Sequence, residues 1–276
     1  MRFRCGKFEL SLTRPLVMGI VNLTPDSFSG DGLAASANQA IDHAHRQIAA
    51  GADLLDLGAE SSRPGAVPTA LADELKRLLP VLEALADCGV PISVDTYKPE
   101  VMRAALASGA AMINDIYALR MPGAVDVVAA SDCAICLMHM RGEPLTMQQK
   151  PVYRDVVAEV RGFLSDRVAA LDAVGVARER IVLDPGFGFG KALDHNLTLL
   201  SHLPAVSFEG LPVLAGLSRK SMLGAITGRP VGERLPASLA AAVIALQGGA
   251  RILRVHDVAA TRDALGVWSA VQAQVE

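Results

Sequence analysis

Ile181-Val182-Leu183-Asp184-Pro185-Gly186-Phe187-Gly188-Phe189-Gly190-Lys191 is the stretch on which the fold turns. Three branched apolar residues open it, the composition of a short strand buried on both faces. The strand stops on Asp184-Pro185-Gly186. A carboxylate at the end of a buried strand is costly unless something pairs with it. The glycines that follow let backbone come close to a ligand. An apolar strand closed by one polar residue and continued by a glycine-rich loop is the pattern of a parallel α/β barrel rim.

The same arrangement recurs on both sides of this stretch. Leu16-Val17-Met18-Gly19-Ile20-Val21 ends on Asn22. Asp53-Leu54-Leu55-Asp56-Leu57-Gly58 leads into Ala59-Glu60-Ser61-Ser62-Arg63-Pro64-Gly65. Ile92-Ser93-Val94 ends on Asp95, Ala111-Met112-Ile113 on Asn114-Asp115, and residues 134–138 on His139. Val213-Leu214-Ala215-Gly216-Leu217 runs into Ser218-Arg219-Lys220-Ser221, and Ile252-Leu253-Arg254-Val255 ends on His256-Asp257.

Helical segments alternate with these strands. One is expected over about residues 34–50, stopped by Gly51. A second carries Leu71, Leu75, Leu78, Leu82 and Leu85 on one face, with Pro80 expected to kink it. Pro99 opens a short one. Others are expected over residues 153–174, 193–202 and 236–247, after Ser221, and at the C-terminus. The weak alternation of Phe3, Cys5, Phe8, Leu10 and Leu12 predicts a short hairpin plugging the barrel bottom. Eight strand–helix units without a linker predict one α/β domain over residues 1–276, a (β/α)₈ TIM barrel of a kind that needs roughly 250 residues. An open doubly wound sheet would show G-x-G-x-x-G after the first strand, and residues 19–32 do not supply it.

Composition bounds the function. Of 276 residues, 51% are hydrophobic and 20% charged, which allows a large core. A net charge of −3 gives no reason to expect nucleic acid. No apolar run approaches the ~18 residues of a membrane span, and the first residues lack the apolar core of a signal peptide. A cytoplasmic protein is expected. Cys5, Cys88, Cys133 and Cys136 do not form a disulfide framework. The lone Cys133-x-x-Cys136 is read as a pair of buried thiols.

Asn22, Asp95 and Asn114 each have a plain alternative as helix caps, which weakens as the feature recurs from strand to strand. Asp56 lies inside an apolar strand and is read equally as a structural hub or a substrate contact. The glycine loop is not a Walker loop, because Pro185 stands where a glycine is needed and Ala192 follows Lys191. Phe189 on that loop offers a flat ligand a stacking surface. Ser218-Arg219-Lys220-Ser221 at a helix start suits an anion. Arg254 and His256, two apart, point to the same side and suit a phosphate. His139 is read as a satisfied hydrogen-bonding group.

Taken together these pieces resemble the dihydropteroate synthase family. The resemblance is carried by Asn22-Leu23-Thr24-Pro25-Asp26-Ser27-Phe28-Ser29, Glu60-Ser61-Ser62-Arg63-Pro64-Gly65, Val94-Asp95-Thr96, Asn114-Asp115, Met138-His139-Met140, the stretch from Asp184 to Lys191, Ser218-Arg219-Lys220-Ser221 and Arg254-Val255-His256-Asp257. It implies condensation of 6-hydroxymethyl-7,8-dihydropterin diphosphate with 4-aminobenzoate, and a homodimer. It implies a pterin pocket of Asp95, Asn114, Asp184 and Lys220. Asn22, Arg254 and His256 would hold the diphosphate, with Asn22 also a ligand to Mg²⁺. Phe28, Ser62, Arg63, Pro64, Phe189 and Ser221 would hold 4-aminobenzoate. Asp95, Lys220, Arg254 and His256 would carry the chemistry, a dissociative substitution.

Two positions depart from the family pattern. Ser62 stands where the family usually has threonine, and Gly30-Asp31-Gly32 replaces the usual Asp-Gly-Gly, so any metal or diphosphate role for Asp31 is open. Three other readings compete: methyl transfer from methyltetrahydrofolate, a Schiff-base aldolase on Lys220, and a pterin-binding barrel without turnover. The first has no use for the 218–221 anion site or for Arg254 with His256. The second is exposed by borohydride trapping. The third would lack rim residues, and none is missing.

Overall fold

A computed structural model of the chain describes residues 1–23 and 37–274. β1 (Arg2–Cys5) and β2 (Phe8–Ser11) form an antiparallel hairpin. The described residues then build a closed barrel of eight parallel strands: β3 (Leu16–Asn22), β4 (Leu54–Gly58), β5 (Ile92–Asp95), β6 (Met112–Asp115), β7 (Ala134–Met138), β8 (Ile181–Asp184), β9 (Val213–Ala215) and β10 (Ala250–Val255). β10 closes on β3, with Arg254 beside Met18. The helices are α1 (Ala37–Ala49), α2 (Leu71–Ala84), α3 (Pro99–Ala107), α4 (Ala124–Ala129), α5 (Val156–Asp172), α6 (Leu193–Ser201), α7 (Leu203–Val206), α8 (Ser221–Thr227), α9 (Leu235–Gln247) and α10 (Val258–Gln272).

Strand parity places the site. Side chains alternate between the two faces of a strand. Val17, Leu55, Ile113, Ile135, Ile181 and Leu253 pack in the core that includes the helices. Their neighbours Met18, Leu54, Met112, Cys136, Val182 and Ile252 form a separate apolar cluster inside the barrel. The same parity carries upward. Asn22 follows Met18 by four residues, and Asp56, Asn114, Asp184 and Arg254 follow Leu54, Met112, Val182 and Ile252 by two. The lower barrel is therefore apolar and the C-terminal end polar. Phe3 and Cys5 of the hairpin are fully buried in that lower cluster, so β1 and β2 plug the bottom as expected.

Several expected boundaries shift. β9 stops at Ala215, two residues before its expected end. α5 starts at Val156 and not near Tyr153, because Asp155 caps it, accepting from the amides of Val157 and Ala158 at 3.0 Å. α2 runs through Pro80, which sits on its exposed side. α4 and α7 escape sequence reading because neither is long enough to show a period. The cap reading of Asp95 and Asn114 is set aside: α3 begins after Lys98 and α4 after Gly123, neither with a side-chain cap.

Candidate active site

Arg254 is the centre of the polar end. Its Nε donates to Asp56 Oδ2 at 2.6 Å and its Nη2 to Asp95 Oδ2 at 3.0 Å. Asn114 Nδ2 donates to the same Asp56 oxygen at 3.1 Å. Asp56 is fully buried, and a buried carboxylate left unpaired would cost several kcal/mol. Asp56 is thus the hub that joins Asn114 to Arg254. Burial works against the Arg254 charge, but Asp56 and Asp95 outweigh it and hold the guanidinium above its ordinary value. Burial also pushes the Asp95 carboxyl up to about 7, against the pull of Arg254.

Asp184 and Lys220 form the other wall. Asp184 Oδ1 accepts from the Gly186 amide at 2.7 Å, and burial raises its pKa. Burial lowers the Lys220 ammonium to about 8 while Asp184 resists the shift. The ammonium lies 4.3 Å from the centroid of the Phe189 ring. Phe189 owes its position to the glycines around it. Gly186 and Gly190 have φ of +68° and +62°, and a Cβ there would fall 1.9 Å from His139 O and 2.2 Å from Arg141 O. Only glycine lets the loop lie this close to the segment after β7.

Lys191 is a residue the sequence reading passed over. It is buried, and its Nζ donates to the carbonyls of Gly186, His139 and Phe189 and meets His139 Nδ1 at 2.9 Å. It ties the glycine loop to the segment after β7. His139 is the satisfied hydrogen-bonding group expected; burial and Lys191 lower it to about 2. Tyr153 closes the same loop from outside, donating to Gly190 O at 2.8 Å.

His256 Nδ1 lies 3.0 Å from Ser218 Oγ. Burial, followed by Arg219, Arg254 and Lys220, lowers its imidazole to about 3, so it is neutral at ordinary pH. Arg219, which the sequence grouped with the anion site, pairs with Asp257 through Nε at 3.0 Å and Nη2 at 2.5 Å.

Asn22, Ser62, Arg63, Pro64, Asp95, Phe189, Lys220, Ser221, Arg254 and His256 line one cleft of about 1010 Å³, its open mouth included. Asn114 and Asp184 are buried near the ends of β6 and β8, on either side of β7. Phe28 and Asp31 lie outside the described residues. The cleft also takes in Glu60 and Arg234, which the sequence did not single out. Gly58 keeps the space between Asn22 and Asp95 open: a Cβ there would lie 3.9 Å from Asn22 Oδ1 and from Asp95 Oδ2. Among the described residues no group of three or more His, Cys, Asp or Glu could hold a metal. A single amide oxygen beside an open space suits a cation that arrives with phosphate oxygens and water, as Mg²⁺ does.

Four likenesses to known proteins accompany this geometry. The family described as pterin binding enzyme matches residues 18–256. A dihydropteroate synthase of Neisseria meningitidis serogroup B is 50% identical over 276 residues, 98% of this chain and 97% of its own. The structure of Burkholderia cenocepacia dihydropteroate synthase complexed with 7,8-dihydropteroate superposes with a TM-score of 0.92 at 54% identity, covering 99% of this chain and 97% of that one. Xanthomonas albilineans dihydropteroate synthase with 4-aminobenzoic acid gives 0.92 at 52% identity, with 99% and 98% covered. A barrel whose inward parity ends in this polar ring, and which is about half identical to such proteins along nearly its whole length, belongs to the pterin-binding enzymes and, among them, to the dihydropteroate synthase family.

Proposed function

We propose that the chain joins 6-hydroxymethyl-7,8-dihydropterin diphosphate to 4-aminobenzoate, releasing 7,8-dihydropteroate and pyrophosphate. The observation that carries this is the division of the cleft. Carboxylates, an amide and an ammonium gather at the strand ends, while Arg254 and the neutral His256 stand beside them. A pterin edge offers N–H groups to Asp95 and Asp184, and its ring carbonyl accepts from Lys220. Asn114, fixed by Asp56, completes that pocket. Arg254 and His256 take the diphosphate, with Asn22 beside it.

Asn22 would hold Mg²⁺ through its amide oxygen; the bound ion would supply charge neutralisation on the diphosphate. The methylene C–O bond breaks and its electron pair leaves with pyrophosphate, which Arg254 stabilises. Asp95, as an anion, stabilises the positive charge left on the pterin methylene. The amine of 4-aminobenzoate then forms the C–N bond and loses a proton to solvent. Ser62, Arg63, Pro64, Phe28, Phe189 and Ser221 would position that amine.

Lys220→Ala and Arg254→Ala should each lose ~2–4 kcal/mol of transition-state stabilisation, the scale of one preorganised charged contact. Wild-type kcat/KM in both would overturn the assignment.

We also propose a homodimer acting in the cytoplasm. Ile226, Ile244, Val267 and Val271 are exposed on α8, α9 and α10, consecutive helices in which α9 packs on both others. The four cysteines are free thiols, which a reducing compartment preserves. Among the described residues no helix is long and apolar enough to cross a membrane. A single-chain mass by sedimentation at micromolar concentration would contradict the dimer.

A further inference from the structure

The three residues that follow Asp95 all bond to one pair of glutamates, Glu74 and the Glu60 that also lines the cleft. Thr96 Oγ1 donates to Glu74 Oε1 at 2.7 Å, and Tyr97 OH to Glu60 Oε1 at 3.0 Å. Lys98 Nζ donates to Glu74 Oε2 at 2.6 Å, to Glu60 Oε2 and to Thr69 O at 2.7 Å. An ammonium has three donors, and Lys98 uses all of them here. Glu74 is fully buried on α2, and the side chains of Glu60 and Lys98 keep 8% and 15% of their exposure. Charges at such depth are kept only when paired.

The cluster closes a loop. Glu60 follows the end of β4 and Thr69 precedes the start of α2. Glu60 Oε1 accepts from the Thr69 amide at 2.9 Å, and Lys98 holds the Thr69 carbonyl. The segment between them, residues 61–68, leaves the barrel and returns at one charged knot. It carries Ser62, Arg63 and Pro64. Beyond the knot its crown is held through the Gly65 amide on Pro144 O at 2.9 Å and an internal turn from Ala66 N to Arg63 O. Neither glutamate nor Lys98 is asked to do chemistry, yet three of the knot's residues follow Asp95 directly in the chain.

We propose that Lys98, with Glu60 and Glu74, is a positioning clasp that fixes the base of the 59–70 loop and thereby sets the affinity for 4-aminobenzoate. The inference rests on the reading that Ser62, Arg63 and Pro64 touch that substrate. A tied base limits the crown to few arrangements, so the ordering cost on binding is met beforehand. Without the clasp the loop stays attached but its contacts must be assembled anew at each binding event. The pterin groups are held elsewhere: Asn114 and Asp184 on β6 and β8, Lys220 just before α8, and Asp95 by its bond to Arg254.

The test uses Lys98→Met, which keeps the aliphatic stem, and the double variant Lys98→Met/Glu74→Gln, which removes the buried carboxylate that the first leaves alone. Steady-state kinetics are read for each substrate, with Arg63→Ala in parallel and hydrogen exchange followed over residues 59–70. In both Lys98 variants KM for 4-aminobenzoate should rise about tenfold, the scale of ordering one or two side chains. KM for the pterin diphosphate should stay within about twofold, and exchange should quicken in that loop alone. An unchanged 4-aminobenzoate KM, with Arg63→Ala raising it, would overturn the clasp and leave the loop's role standing. If Arg63→Ala leaves it unchanged as well, the reading of the loop falls and the proposal with it. Equal rises for both substrates would mean general damage and would also overturn the proposal.

Discussion

Asp95 and Lys220 are both drawn toward their neutral forms by burial, Asp95 up to about 7 and Lys220 down to about 8. The proposed chemistry needs both charged. Below about 7 Asp95 gains a proton and can no longer stabilise the cation. Above about 8 Lys220 loses one and can no longer donate to the pterin carbonyl. The pH profile of kcat/KM for the pterin diphosphate should therefore peak between these values. His256, neutral above about 3, adds no limb in that range. The substrate's terminal phosphate also titrates, near ~6 as phosphate esters do. Asp95→Asn separates the two: it should remove the enzyme's acid limb and leave the substrate's. An acid limb near ~4, the ordinary carboxylate value, would contradict the shift. Asp95, Asp184, Lys220 and Arg254 were legible as polar groups where apolar strands end. For Asp56 the hub was one of two equal readings; its partner Arg254 could not be read, because it lies 198 residues away and meets Asp56 only once the barrel closes. Lys191 was hidden for a similar reason: its partners are mostly backbone carbonyls, which no sequence pattern marks.

At the scale of elements, the turn from β8 into α6 is the most constrained piece of the rim. Gly186→Ala and Gly190→Ala each combine a left-handed φ with a methyl placed against a backbone carbonyl. The φ alone costs about 1–3 kcal/mol, and the clash adds to it, so both variants should show lower urea midpoints. Gly188 also has positive φ, +80°, but a Cβ there meets the flexible Lys220 chain at 3.4 Å. Gly188→Ala should therefore be less destabilised yet lose activity through Lys220. Equal stability losses at all three positions would contradict this account. The sequence marked this turn because apolar run, carboxylate and glycines are adjacent in the chain. The Glu60–Lys98–Glu74 knot is assembled from three segments, and nothing in any one of them announces it. The hairpin of β1 and β2 was legible from five weakly alternating residues because its apolar side has one place to go, the open bottom of the barrel.

At the scale of the molecule, one rule of alternation produces both the core and the site. Inward positions low in the barrel are Met18, Leu54, Met112, Val182 and Ile252; one or two steps higher they become Asn22, Asp56, Asn114, Asp184 and Arg254. Stability and function are thus stacked along one axis, which is why the fold could be read from strand ends alone. The loops could not be read this way, since their arrangement depends on contacts between units. The most direct test of the central claim is pyrophosphate release from 6-hydroxymethyl-7,8-dihydropterin diphosphate with Mg²⁺, measured with and without 4-aminobenzoate. Release should rise with 4-aminobenzoate and match the 7,8-dihydropteroate formed, one for one. Folded protein that binds the pterin but forms no coupled product would contradict it.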